Sequence, residues 1–143
     1  WARRAQPGAA VAVSGPGRLD PIDADAPAYL LGGDESAIPA IEQILGWLPA
    51  ETEVDVRIEI ATSDARIDLP AHPRCHVTWL VAEPGAAPGH TLATSIEASA
   101  TIPDRVWVAG EAAAVQRLRR HLFNERSLAR ASVIARGYWK AAR

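Results

Sequence analysis

The sequence predicts an α/β fold, an open and mainly parallel sheet with helices on both of its faces. The 143 residues are 48% hydrophobic and 22% charged, which is typical of one ordinary globular domain. From residue 28 onward, strand-like segments alternate with helical ones, and this alternation favours a parallel sheet. Two strand-like segments, 76–82 and 105–109, are mostly apolar, as expected of strands that are buried on both faces.

The first strand and the first helix are predicted at 28–31 and 37–48, on either side of the segment Gly-Gly-Asp-Glu-Ser at 32–36. The helix is predicted because apolar residues recur every three or four positions and Ser36 is suited to cap its start. Pro49 ends it. The further predicted elements are strands at 53–61, 76–82, 105–109 and 132–139 and helices at 91–99 and 111–124. In the last helix, His121 is predicted to face outward.

Residues 1–27 are predicted to lie outside the α/β domain. Residues 11–14 resemble a short strand, and 18–27 are rich in Asp and Pro, which is typical of a loop or linker. The chain has no initiator Met, so we expect it to be a domain of a longer protein.

The single cysteine, Cys75, excludes an internal disulfide and fits a cytoplasmic location. No secretory leader is visible, and no apolar segment approaches the ~20 residues that span a bilayer. We therefore expect no membrane span.

Charge is distributed unevenly along the chain. Residues 117–143 contain eight Lys or Arg and one acidic residue, Glu125, whereas residues 1–116 have a formal charge of −9. This asymmetry favours an anionic partner for the basic end. A solvated helix face followed by a tail is the alternative.

Two strand-to-helix turns are the candidate ligand sites, because open α/β sheets bind ligands beyond the carboxyl ends of their strands. They comprise Gly32, Gly33, Asp34, Glu35 and Ser36 in the first turn and Gly110, Glu111 and Ala112 in the second. Glycine lets backbone N–H groups approach a phosphate closely. The acidic side chains would repel a phosphate, and they are better suited to capping a helix or to accepting hydrogen bonds from ribose hydroxyls or a nicotinamide amide. A structural turn without ligand is the alternative in both places.

No catalytic residue and no metal site is predicted. Cys75 and His76 are adjacent in a predicted strand, so they point to opposite faces, and no second cluster adds metal ligands. Tyr138 and Trp139 precede Lys140 at the basic end. This aromatic pair is suited to covering a flat ring or a partner surface, or to holding the C-terminus as a hydrophobic latch.

Three segments resemble blocks of one known family. Residues 31–41 resemble the GDET-A-[IL]-P-A-I block of siderophore-interacting proteins, 107–112 resemble their W-x-A-G-E-A block, and 136–140 resemble their C-terminal GYW-[KR] ending. The order and spacing of the blocks also agree, from about residue 28 to the end. Residues 1–17 resemble the end of the barrel that precedes this domain in the family.

The resemblance implies a flavin-dependent ferric-siderophore reductase related to ferredoxin reductase, with an N-terminal FAD-binding barrel and a C-terminal NAD(P)H-binding α/β domain. Residues 28–143 would be the NAD(P)H-binding domain with a basic tail, and 1–27 the end of a truncated barrel plus a linker. NADPH or NADH would bind at the two turns, hydride would pass to FAD, and electrons would then pass to Fe(III), which releases iron. Without its FAD domain, this part alone is expected to be inactive.

The implied partners are a nicotinamide nucleotide, a ferric siderophore and the protein's own FAD domain, with no nucleic acid. Residues expected to face the siderophore or the flavin are Tyr138, Trp139, Lys140 and Arg143. Val81 and Ala82 stand where the family often has a basic residue for a 2′-phosphate, so the choice between NADPH and NADH stays open, with Arg66 or Arg74 as substitutes. The alternative function is a non-catalytic module that binds a siderophore or a protein. Gly110→Val is expected to abolish nucleotide binding while leaving the fold nearly intact.

Overall fold

The computed structural model describes residues 4–12 and 21–142. It contains five strands and three α-helices that alternate along most of the chain. The strands are β1 (Ala28–Asp34), β2 (Glu53–Ile60), β3 (Cys75–Val81), β4 (Arg105–Glu111) and β5 (Val133–Trp139). The helices are α1 (Ile38–Trp47), α2 (His90–Glu97) and α3 (Ala112–Arg120).

The strands form one sheet in the order β3-β2-β1-β4-β5, and every neighbouring pair is parallel. This confirms the predicted fold class. The chain first moves from β1 outward to β2 and β3, and then crosses to the other side of β1 for β4 and β5. The strand order therefore reverses between β1 and β4, and the carboxyl ends of these two strands flank the crevice where such sheets bind ligands.

Two hydrophobic cores lie on opposite faces of the sheet. On one face, α1 packs Ile41 and Leu45 against a row of β2 side chains that includes Val56 and Ile58. On the other face, helices α2 and α3 cover β1 and β4. The buried residues of this second core are Leu30, Leu92, Ala93, Ile96, Val106, Val108, Leu118, Leu122 and Val133. Burial on both faces explains why the central strands are mainly apolar.

Strand β1 is longer than predicted, because Gly32 and Gly33 continue it instead of forming a turn. Both glycines are buried in the sheet. A Cβ at Gly32 would lie 3.1 Å from Ile96 of α2, and a Cβ at Gly33 would overlap the Cβ of Ala37. Two small residues in β1 thus let the segments on both faces approach the backbone closely. The turn proper begins at Asp34.

The C-terminal third also differs from the prediction in detail. Strand β4 extends through Glu111, and β5 is one continuous strand. Helix α3 ends at Arg120 and continues as one π-helical turn over residues 121–125. His121, predicted to face outward, is only 6% exposed. In this π-turn its ring bonds to Glu125 and Arg126, so the outward prediction was wrong.

The predicted strand at 11–14 is partly outside the described residues, and residues 11 and 12 are not in a strand. Residues 21–27 also contain neither strand nor helix. Ile22 and Ala26 nevertheless pack against the α1-side core, and Asp23 pairs with Arg105 at the start of β4. This part of the predicted linker therefore lies against the α/β domain.

Candidate functional site

Asp34 joins three strands at the carboxyl edge of the sheet. Its Oδ1 accepts hydrogen bonds from the backbone N–H of Ser36 (2.9 Å) and from the Ser36 hydroxyl (2.5 Å). Its Oδ2 accepts from the backbone N–H of Glu111 (2.9 Å) and from the indole Nε1–H of Trp139 (2.8 Å). The side chain thus caps the turn after β1 and links β1 to the ends of β4 and β5.

Gly110 has the backbone angle that allows this contact. Its φ is +148°, and a Cβ there would lie 2.5 Å from Oδ2 of Asp34. Any side chain at position 110 would therefore collide with the Asp34 carboxylate, whether or not a ligand is bound. The expectation that Gly110→Val leaves the fold nearly intact is therefore wrong.

Glu111 is buried and caps helix α3. Its Oε2 accepts from the backbone N–H groups of Ala113 (2.6 Å) and Ala114 (3.0 Å), and its Oε1 accepts from Ala141 (3.3 Å). Burial alone raises the pKa of the Glu111 carboxyl, but these backbone donors more than offset it, so the pKa lies below its usual value. The carboxylate is therefore ionised at neutral pH and stands at the helix terminus that a phosphate would otherwise use.

Two more carboxylates act on neighbouring backbone groups. Glu35 accepts from the N–H of Ala61, just beyond β2, at 2.8 Å. Glu59, 5% exposed on the α2 side of β2, accepts from Gly89 (2.7 Å) and from Leu92 (2.8 Å). Glu59 therefore satisfies N–H groups at the start of α2. The turn after β1 and the starts of α2 and α3 are thus all capped by carboxylates of this chain.

A pocket of about 500 Å³ lies beside Asp34, and we call it the carboxylate pocket. Its lining residues are Asp34, Glu35, Ser36, Glu59, Ala61, Ala82, Ala86, Pro88, Gly89 and Trp139. Three carboxylates and no cation line it. Carboxylate oxygens accept hydrogen bonds from hydroxyls and amides, so the pocket suits a sugar or a carboxamide better than a phosphate.

A second pocket of about 460 Å³ adjoins the first, and we call it the cationic pocket. Its lining residues are Ala87, Pro88, Gly89, His90, Glu111, Ala113, Ala114, Arg117, Arg120, Lys140, Ala141 and Ala142. Pro88 and Gly89 are common to both pockets. Three cations and one carboxylate, already engaged by backbone N–H groups, surround this space.

The residues predicted at the first turn divide into two groups. Asp34, Glu35 and Ser36 line the carboxylate pocket, whereas Gly32 and Gly33 lie inside β1. Of the second turn, Glu111 lines the cationic pocket. Gly110 supports Asp34, and Ala112 begins α3 beneath Gly137 of β5.

The predicted C-terminal residues lie along β5 and the segment after it. Trp139, 40% exposed, lines the carboxylate pocket, whereas Lys140 lines the cationic one. Tyr138, 47% exposed, sets its ring edge-on to that of Trp107 at 6.3 Å between centroids. Arg143 lies outside the described residues. Arg74, a candidate for a 2′-phosphate, precedes β3 at the opposite edge of the sheet and pairs with Glu53, whereas Arg66 follows β2 and is exposed.

Sequence reasoning missed Glu59, Gly89, His90 and the part that Arg117 and Arg120 have in a pocket. One signal was present for Glu59. A central strand of a parallel sheet is buried on both faces, so a charged residue in β2 needs internal partners.

Among the residues that the structure describes, no group of three or more His, Cys, Asp or Glu is placed to hold a metal. Within the same residues, no helix is long and apolar enough to cross a membrane.

Comparisons with known proteins agree with one another. Residues 26–142 match the family model described as siderophore-interacting protein. The chain is 34% identical over 145 residues to the ferric vibriobactin reductase ViuB of Vibrio cholerae. The matched region covers 98% of this chain and 53% of ViuB. It is 36% identical over 146 residues to the mycobactin import ATP-binding/permease protein IrtA of Mycolicibacterium smegmatis. The matched region covers 100% of this chain and 16% of IrtA.

A solved structure gives the same result. A siderophore utilization protein from T. fusca superposes with a TM-score of 0.72 at 34% identity, over 83% of this chain and 47% of that one. The chain therefore spans about half the length of ViuB and of the T. fusca protein, and a smaller share of IrtA.

Proposed function

Because the chain belongs to the siderophore-interacting protein family, we propose that it is the NAD(P)H-binding half of a flavin-dependent ferric-siderophore reductase. In this reaction, electrons from NAD(P)H pass through FAD to the Fe(III) of a siderophore, and iron is released. The ferric siderophore is the substrate. FAD belongs to a separate domain, and the reaction takes place in the cytoplasm, where NAD(P)H is available.

One observation carries the proposal: three distant parts of the chain meet at Asp34. The carboxylate of Asp34 bonds to the backbone of Glu111 and to the indole of Trp139, 77 and 105 residues further along the chain. These are the parts that resemble the three blocks of the family. Their convergence beside a pocket at the strand-order reversal fits a ligand site.

The residues that line the carboxylate pocket fit the ribose and carboxamide groups of a nicotinamide nucleotide. In the carboxylate pocket, Glu35 and Glu59 retain acceptor positions for ribose hydroxyls or for the carboxamide N–H, whereas the Asp34 oxygens already accept four hydrogen bonds. The exposed indole of Trp139 supplies a flat apolar wall beside them. The protein contributes position and electrostatics, and the cofactors supply the redox chemistry.

The test is a calorimetric titration of NADPH and NADH into the chain. We expect at least one of them to bind, and Trp139→Ala to weaken that binding. A second assay measures oxidation of both nucleotides, with a ferric siderophore as acceptor, by a protein that carries this chain together with an FAD-binding domain. Absence of binding in the first assay and of oxidation in the second would refute the proposal.

A non-catalytic siderophore- or protein-binding module is the second candidate. It is favoured by the match of the whole chain to part of a mycobactin import ATP-binding/permease protein. It predicts that the chain ignores both nucleotides and still retains a ferric siderophore or a protein partner. Equilibrium dialysis against a coloured ferric siderophore, with the iron-free siderophore as control, distinguishes this module from the reductase half.

A further inference from the structure

The two adjoining pockets at the carboxyl edge have opposite charge. The carboxylate pocket is lined by Asp34, Glu35 and Glu59, whereas the cationic pocket is lined by Arg117, Arg120 and Lys140 together with one carboxylate. A ligand with both hydroxyls and phosphates therefore has a strong preference for one orientation across them. The reverse orientation would bring the phosphates against the three carboxylates, and like charges repel each other.

The backbone donors at this edge are already in use. Glu59 holds the N–H groups of Gly89 and Leu92, and Glu111 holds those of Ala113 and Ala114. A phosphate at either helix start would have to displace a buried carboxylate. Phosphate recognition must therefore come from side-chain cations.

Arg117 is the ordered member of the cationic pocket. Its Nε donates to Oε1 of Glu97 at 2.8 Å, and its second amino group pairs with the other oxygen of that carboxylate. Its remaining amino group lies 3.3 Å from Nδ1 of His90. Because Glu97 already balances its charge, Arg117 chiefly shapes the pocket wall.

Arg120 and Lys140 are the cations left for a ligand. Arg120 is exposed on the last turn of α3, and Lys140 follows β5. Neither has an ion-pair partner among residues 4–12 and 21–142. Both line the same space, which shares Pro88 and Gly89 with the carboxylate pocket. Only glycine fits at position 89, because its φ is +78° and a Cβ there would overlap the Cβ of Ala114.

On the basis of the proposed function, we propose that the cationic pocket is the phosphate subsite of the dinucleotide. Arg120 and Lys140 bind its phosphates, while the adjoining ribose and carboxamide occupy the carboxylate pocket. The ligand therefore crosses the rim at Pro88 and Gly89. Lys140 then acts on the nucleotide, in addition to any contact with the siderophore.

The test compares three probes by calorimetry: NADPH, inorganic pyrophosphate, and nicotinamide riboside, which lacks phosphate. The variants are Arg120→Glu and Lys140→Glu, and Arg119→Glu is the matched control on the same helix outside the pocket. Loss of one charge-assisted phosphate contact should weaken NADPH and pyrophosphate by about tenfold in the two pocket variants. Nicotinamide riboside and the control variant should show unchanged affinities.

The outcomes separate this proposal from the proposed function. If NADPH binds, and the two pocket variants bind NADPH and pyrophosphate as the control does, the subsite is refuted while the reductase role stands. If pyrophosphate binding depends on Arg120 and Lys140 but neither NADPH nor NADH binds, the pocket is an anion site alone, and both the dinucleotide subsite and the reductase role are refuted. A defect of Lys140→Glu confined to ferric-siderophore turnover also refutes the subsite.

Discussion

The indole Nε1–H of Trp139 donates a 2.8 Å hydrogen bond to Oδ2 of Asp34, 105 residues earlier in the chain. This bond spans the ends of three adjacent strands, since β4 lies between β1 and β5. It holds the indole of Trp139 against the carboxylate of Asp34, and both residues line the carboxylate pocket. The position of Trp139 relative to the turn after β1 therefore depends on one carboxylate.

Asp34→Ala should destabilise the fold and release the indole. The variant loses the cap on the turn after β1 and the links to Glu111 and Trp139, so we expect unfolding free energy to fall by about 1–2 kcal/mol. Urea denaturation measures this change, and tryptophan fluorescence reports the altered environment of Trp139. Asp68→Ala, at an exposed loop position, is the control and should change neither. Equal stability of the two variants would contradict the role assigned to Asp34.

Substitution of two glycines by alanine should have opposite effects. Gly110→Ala introduces a Cβ 2.5 Å from the Asp34 carboxylate at a φ of +148°, and we expect a loss of about 2–3 kcal/mol from this strain. Gly46→Ala in α1 meets nothing within 4 Å. It should stabilise the chain by about 0.5–1 kcal/mol, because alanine is the better helix former. Thermal unfolding of both variants checks the signs.

Glu111 should make the fold sensitive to acid. Its folded-state pKa is lowered from 4.5, so its contribution to stability is present above that value and is lost as pH falls through the lower folded-state pKa. Urea unfolding from pH 7 to pH 3 should therefore show a steeper acid loss for the native chain than for Glu111→Gln. Glu51→Gln, an exposed position, should retain the native slope. Parallel curves for all three proteins would be the contrary result.

Glu59→Ala should open the segment between the two pockets. The change leaves the backbone N–H groups of Gly89 and Leu92 without acceptors in a buried place, and we expect a cost of about 3 kcal/mol. Amide hydrogen exchange should rise first at residues 89–92. Glu83→Ala, exposed at the same edge of the sheet, is the control. Unchanged exchange at 89–92 would mean that Glu59 does not hold the start of α2.

The sheet and its helices could be predicted because local patterns reflect burial. The alternating apolar residues of β2 and the mostly apolar β4 both lie in the core, as their patterns indicate. The acidic residues at the two turns were predicted to be suited to capping helices, and Asp34 and Glu111 do cap helical segments.

Other features depend on tertiary contacts that no local pattern contains. Gly32 and Gly33 resemble a turn, yet they extend β1, because Ile96 and Ala37 pack where their side chains would be. His121 was predicted to face outward, but its ring is buried and bonds to Glu125 and Arg126. The cationic pocket unites residues from α2, α3 and the chain end, which only the fold brings together.

The all-parallel order of the strands also constrains how the chain folds. No two neighbouring strands are joined by a hairpin, so every pairing requires a crossover, and the pairing of β1 with β4 closes a loop of more than 70 residues. Non-local pairing of this kind slows folding. On the ribosome, the apolar edge of β4 cannot be covered until residues 133–139 have emerged. Until then β4 is an open edge on which a second nascent copy can add a strand, so aggregation during synthesis should depend on how quickly the last strand docks.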